Sequence, residues 1–120
     1  MALHTSTGTP TKAQQARFTA IKLDTGCVAC RLQGLGYCEP EIHHLGVGKR
    51  RGHDETVGLC GWHHRAVLPD GWTAEAMRGR FGPSLARGSK PFHAHFGSDE
   101  VLLAEQDRLL LRYGYGKLAA

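Results

Sequence analysis

The spacing of cysteine and histidine constrains this chain more than any other feature. Cys27-x-x-Cys30 comes first, then His43-His44, then Cys60-x-x-His63-His64. That is more soft and borderline ligands than one metal ion can take. One ion is therefore expected to hold the chain together, and a second position to do chemistry. A length of 120 residues allows one domain with short extensions. Hydrophobic residues make up only 41% and glycines number 16, so the core is modest and turns are frequent. A metal that contributes folding free energy suits such a chain. The expected class is a small α+β fold, irregular and loop-rich.

The four cysteines are Cys27, Cys30, Cys38 and Cys60. The start of the chain lacks the basic residues and apolar run of a secretory signal, and no stretch approaches the roughly 18 apolar residues of a membrane span. A reducing cytoplasm is expected, where clustered cysteines favour metal over disulfides; a four-cysteine disulfide framework is the minor alternative. The formal charge is +4. Local clusters say more: Lys49-Arg50-Arg51 between the histidine pairs, Arg65 beside the second pair, and Arg78, Arg80, Arg87 and Lys90 downstream. Such clusters suit phosphate contacts, and each could equally be solvated surface.

Residues 1–9 read as a small, polar arm. Pro10, with Thr9 as cap, suggests a helix over Thr11 to Leu23 with Phe18 and Ile21 on its apolar side. Residues 26–40 read as loop. Glu41 to Val47 and Thr56 to Leu59 read as two strands of a hairpin joined by a basic, glycine-rich turn. Cys60 opens a helix to Val67 or Leu68, ended by Pro69-Asp70-Gly71. Another helix is expected over Thr73 to Arg80, then a loop over Gly82 to Pro91. The last helix starts at a Gly97 or Ser98 cap, has Asp99 and Glu100 in its first turn, carries Leu102, Leu109 and Tyr113 at helical spacing, and ends at Gly114. This is a ββα core with flanking helices. The expected division is an arm over 1–25, a core over 26–97, and a C-terminal helix and tail packed on it over 98–120.

Cys27-x-x-Cys30 places two thiolates on a tight knuckle. Cys60 and His63, three apart at the start of a helix, share a face. Tetrahedral Zn²⁺ accepts this set, and a knuckle sharing zinc with a helix start is the treble-clef arrangement. Cys38 is a competing ligand or a small buried hydrophobe. If His63 binds zinc, His64 lies about 100° away around the helix. His43 and His44 also diverge, because strand side chains alternate. One histidine from the strand and one from the helix can then hold a second metal, with a remaining histidine as base.

His43-His44-Leu45 followed by Leu59-Cys60-x-x-His63-His64 resembles the HNH, or ββα-metal, endonucleases, and Cys27-x-x-Cys30 resembles their zinc-containing branch. More narrowly, these residues with Gly52-His53-Asp54, Gly82-Pro83-Ser84-Leu85-Ala86, Ser89-Lys90-x-Phe92-His93 and Phe96-Gly97 resemble the phage recombination-enhancement (Ref) nucleases, over about residues 27–110. The resemblance implies metal-dependent hydrolysis of DNA, single-stranded or RecA-bound, in a bacterial host, with a RecA filament as partner. It assigns His44 as general base and His43 and His64 as ligands of Mg²⁺ or Mn²⁺, with His93 as a possible further ligand or phosphate contact. Imidazole titrates near working pH, and a cation on the scissile phosphate stabilises developing charge, so these roles are chemically apt. The chain departs from the pattern in two ways. It contains no Asn, so Asp54 or His53 must position the base. It also carries only Lys12, Arg17 and Lys22 ahead of the first Cys, where Ref-type proteins can have a long basic region.

Two other functions fit parts of the pattern. A non-catalytic zinc-finger-type module would bind nucleic acid and use His43 and His44 for packing or a second zinc. A zinc-stapled adaptor would offer the Leu102–Tyr113 helix to a protein. Neither requires His44 and His64 beyond the zinc set. His95 and His4 read as structural or exposed, and Trp62 and Trp72 as core or lid residues.

Overall fold

The computed structural model describes residues 8–46 and 52–115. Helix α1 (Lys12–Ala20) is capped by Thr11, two residues past the expected Thr9. Thr11 Oγ1 accepts from Gln14 N–H while Gln14 Oε1 accepts from Thr11 N–H, a reciprocal box that satisfies two orphan donors at once. The helix runs into a π-helical turn (Ile21–Thr25) that ends at Gly26. There φ is +72°, and a Cβ would lie 2.7 Å from the Cys38 carbonyl oxygen, so only glycine fits. Residues 26–40 are not all loop. Cys27 caps a one-turn helix α2 (Val28–Leu32), its Sγ accepting from Cys30 N–H at 3.4 Å.

Strand β1 (Pro40–His44) pairs antiparallel with β2 (Thr56–Cys60), with Ile42 opposite Gly58 and His44 opposite Thr56. Gly58 is required by contact: a Cβ there would sit 2.3 Å from the Gly26 carbonyl oxygen. The π turn can therefore lie directly on the hairpin. Cys60 caps the helix α3 (Gly61–Arg65), which ends at Ala66 in the left-handed region rather than at Pro69. Helix α4 (Ala74–Phe81) is capped by Thr73. The expected loop after it contains a 3₁₀ turn (Leu85–Arg87) and helix α5 (Ser89–Phe96). Pro91 obscures α5 in the sequence, yet it stands in the first turn, where no intrahelical N–H is needed. Helix α6 (Asp99–Arg112) takes the Ser98 cap.

The main core joins Val28 and Ala29 of α2, Leu45, Val57 and Leu59 of the hairpin region, Phe92 and Phe96 of α5, and Leu102 and Leu109 of α6. Leu102 and Leu109 are buried as their spacing suggests, but Tyr113 is exposed, with Arg31 over its ring. Gln106, wholly buried on α6, accepts from Gly58 N–H at 2.8 Å and donates to Thr25 Oγ1 at 2.9 Å. A hydrogen-bonded amide thus fastens α6 to the centre of β2, where losing it would leave a buried donor unpaired. Among the described residues, no helix is long and apolar enough to cross a membrane.

Candidate metal centre and histidine site

The knuckle and the start of α3 bring Cys27, Cys30, Cys60 and His63 together, with one ligand atom from each and all four within 4.8 Å of one another. His63 Nδ1 lies 3.5, 3.7 and 3.2 Å from the sulfurs of Cys27, Cys30 and Cys60, and the Cys30 and Cys60 sulfurs are 3.9 Å apart. A tetrahedral ion with metal–sulfur bonds of about 2.3 Å would set its sulfurs roughly 3.8 Å apart, so the set fits zinc. His63 Nε2 donates to the Phe81 carbonyl at 2.8 Å, which leaves Nδ1 as the ligand nitrogen. Burial alone would lower the His63 pKa, but the Cys27 and Cys60 sulfurs outweigh it and raise it to about 10. The neighbouring sulfurs push the Cys30 thiol up and the Cys60 thiol down. Negative charge gathered at one point is what a shared cation relieves. Cys38 lies outside this group and is half-buried; its carbonyl accepts from Cys27 N–H at 3.0 Å.

His64 turns away from this cluster toward β1. Its Nδ1 donates to Glu41 Oε1 at 2.7 Å, leaving Nε2 as the possible ligand nitrogen. Glu41 also accepts from Arg65 through Nε at 2.8 Å and Nη2 at 2.5 Å. The Arg65 fork, followed by His64, holds the Glu41 carboxyl down at about 2, against partial burial. Glu41 and His43 are two apart on one strand and so share a face. The His43 and His64 rings meet edge to face, with centroids 5.0 Å apart. Burial first, and His64 second, lower His43 to about 4, with Asp99 opposing them. Near working pH His43 is thus a neutral imidazole, the form that binds metal.

Asp99 Oδ2 accepts from Gly46 N–H at 3.2 Å, and Asp99 Oδ1 lies 3.6 Å from His93 Nε2. His93 donates from Nδ1 to the Gly97 carbonyl at 2.8 Å. His43, His64, His93 and Asp99 thus share one neighbourhood. Among the described residues, however, only the Cys₃His group has three or more ligand atoms within 4.8 Å of one another.

The chain matches the family model described as "Recombination enhancement, RecA-dependent nuclease" over residues 10–111. It belongs to that family. No curated protein matches the chain.

For a member of the recombination-enhancement nucleases, the remaining expected residues divide clearly. His44 turns to the other side of the hairpin, its Nε2 2.9 Å from His53 Nδ1. Asp54 is exposed on the turn. Lys49, Arg50 and Arg51 lie outside the described residues, as does His4. Lys90 is exposed on α5, while Arg65 binds Glu41 with one edge of its guanidinium. Arg78 and Arg87 line a cavity of about 560 Å³ with Trp62, Ser84, Pro91 and His95. Trp62 is buried and donates to the Gly82 carbonyl, whereas Trp72 is exposed and packs on Phe81. Sequence reasoning missed Glu41 and Asp99 as partners of the histidines. Strand alternation could have found Glu41, two residues before His43. Nothing local marks Asp99, which reads only as a first-turn acid.

Proposed function

We propose that this chain is a metal-dependent HNH endonuclease whose ββα-metal unit is β1, β2 and α3. Zinc bound by Cys27, Cys30, Cys60 and His63 is its treble-clef staple. His43 and His64 hold a catalytic divalent ion, Mg²⁺ or Mn²⁺, with His93 and Asp99 beside them. When bound, that ion supplies charge stabilisation at the scissile phosphate and leaving oxygen. His44 takes the proton from the attacking water. Glu41 orients His64, and the neutrality of His43 keeps its lone pair available. Lys49, Arg50, Arg51, Arg65 and Lys90 contact phosphates, and the two arginines at the 560 Å³ cavity extend that basic surface. The core spans 26–97, with the 1–25 arm and the 98–120 segment as attachments. The substrate is DNA held by a RecA filament, and the setting is phage recombination in a bacterial cytoplasm.

The observation that carries this reading is the orientation of His64 by Glu41 while its neighbour His63 belongs to the cysteine cluster. A non-catalytic zinc module has no use for a second imidazole aimed by a carboxylate at a third. The family match supports the activity class independently. The test is cleavage of DNA by the zinc-loaded protein with Mg²⁺ or Mn²⁺, with and without RecA and ATP, beside His44→Ala. Wild type is expected to cut, and His44→Ala to be slower by about 10²-fold or more. Equal rates in the two proteins would remove His44 as base, and no cutting under any condition would remove the nuclease reading.

A further inference from the structure

The geometry points to a role for a histidine that neither metal set uses. His53 sits in the turn before β2, only 9% exposed. Its Nε2 is 2.7 Å from the Gly8 carbonyl oxygen, which can only accept, so Nε2 must carry a proton. In a ring that carries its one proton on Nε2, Nδ1 is an acceptor. The 2.9 Å contact to His44 Nε2 requires the proton of that bond to sit on His44. His44 is thereby set as the Nε2–H tautomer, with its basic lone pair on Nδ1.

The surrounding residues hold this relay in place. Phe18 of α1 meets both rings edge-on, with centroids 6.2 Å from His44 and 5.6 Å from His53. Arg17, next to it, donates to Thr56 Oγ1 at 3.0 Å and to the Thr56 carbonyl at 2.6 Å. Thr56 Oγ1 in turn donates to the His53 carbonyl at 3.1 Å. Both the ring and the backbone of His53 are therefore fixed from α1 and from the segment ahead of it.

We propose that His53 is the positioning residue for His44, and that the N-terminal segment, through the Gly8 carbonyl, sets the tautomer of both imidazoles. In a chain without asparagine, a second imidazole supplies the acceptor that aligns the base. The catalytic consequence rests on the nuclease reading; the tautomer does not. The relay also ties Gly8 to the base.

The test uses the zinc-loaded full chain, ¹⁵N-labelled, above the usual histidine titration range. Long-range ¹H–¹⁵N spectra read the tautomer of His44 in wild type, His53→Ala and His53→Asn, alongside steady-state cleavage. In wild type, His44 should be protonated at Nε2. His53→Ala should give mixed tautomers and a kcat lower by about ten- to a hundredfold, the range typical of lost orienting partners, with KM nearly unchanged. His53→Asn, whose Oδ1 can accept where Nδ1 did, should restore the tautomer and most of kcat. If His53→Ala does not fold, His53→Met fills its place without a comparable acceptor. An unchanged His44 tautomer in the variant lacking the acceptor overturns the proposal, and so does Asn performing no better than that variant. Should no protein cleave DNA while the tautomers behave as expected, the nuclease reading falls and the positioning stands.

Discussion

His63 and His64 are neighbours on one five-residue helix, yet their surroundings differ in kind. His63 faces three sulfurs in a closed set, its other nitrogen tied to a backbone carbonyl. His64 faces one imidazole and one carboxylate, in a neighbourhood that, among the described residues, gathers no three ligand atoms within 4.8 Å of one another. Closure suits an ion that staples the fold, since every coordination position is filled by protein. An open set with orienting partners suits an ion that must share its positions with a substrate. The same helical turn can serve both because adjacent residues point about 100° apart. The comparison predicts that damage on one side should cost folding and damage on the other should cost activity.

The largest expected effect lies on the closed side. Cys30→Ser, or removal of the metal by a chelator, should abolish the cooperative thermal transition or lower it by more than about 15 °C, since structural zinc contributes on the order of 10 kcal/mol to such small domains. Melting curves with bound zinc measured by mass spectrometry check this. A variant that melts like wild type while lacking zinc would break the comparison.

On the open side, Glu41→Gln should slow cleavage by about ten- to a hundredfold through loss of His64 orientation, with melting shifted by only a few degrees. The Glu41 carboxyl is about one-third exposed, so its ion pair with Arg65 adds little to folding. Equal losses of stability in Glu41→Gln and Cys30→Ser would erase the distinction.

The smallest effect is a pH slope. His43 titrates near 4 in the folded protein against 6.5 ordinarily, so between those values the unfolded chain binds a proton that the folded chain refuses. Stability should therefore fall as pH drops from 6.5 toward 4, and His43→Gln should have a shallower fall. Glu41 is shifted the same way in a more acidic window: its contribution is present above 4.5 and is lost as pH falls toward 2. Denaturation midpoints at neutral pH and in mild acid separate the two. Identical slopes in wild type and His43→Gln would count against a buried, neutral His43.

Much of this was legible in the chain because it depends on short spacings. Two cysteines three apart form a knuckle, and Cys60 and His63 share the first turn of a helix whatever surrounds them. The hairpin and the Ser98 cap are local in the same sense. Other features depended on competition between neighbours: Thr11 displaced Thr9 because Gln14 completes a reciprocal cap, and α5 forms in spite of Pro91 because proline is harmless in a first turn. Gly58 and Gly26 look like ordinary turn glycines until the two backbones are seen in contact.

By itself the sequence determined which side chains could gather at one metal and that histidines would be left over. Tertiary structure decided which partners those histidines meet. Glu41 reaches His64 across 23 residues, Gly8 reaches His53 across 45, and Asp99 reaches the Gly46 backbone across 53. Those bonds choose which ring nitrogen carries the proton, and a sequence cannot state that choice, because it is made by whichever donor or acceptor the fold brings within 3 Å or so.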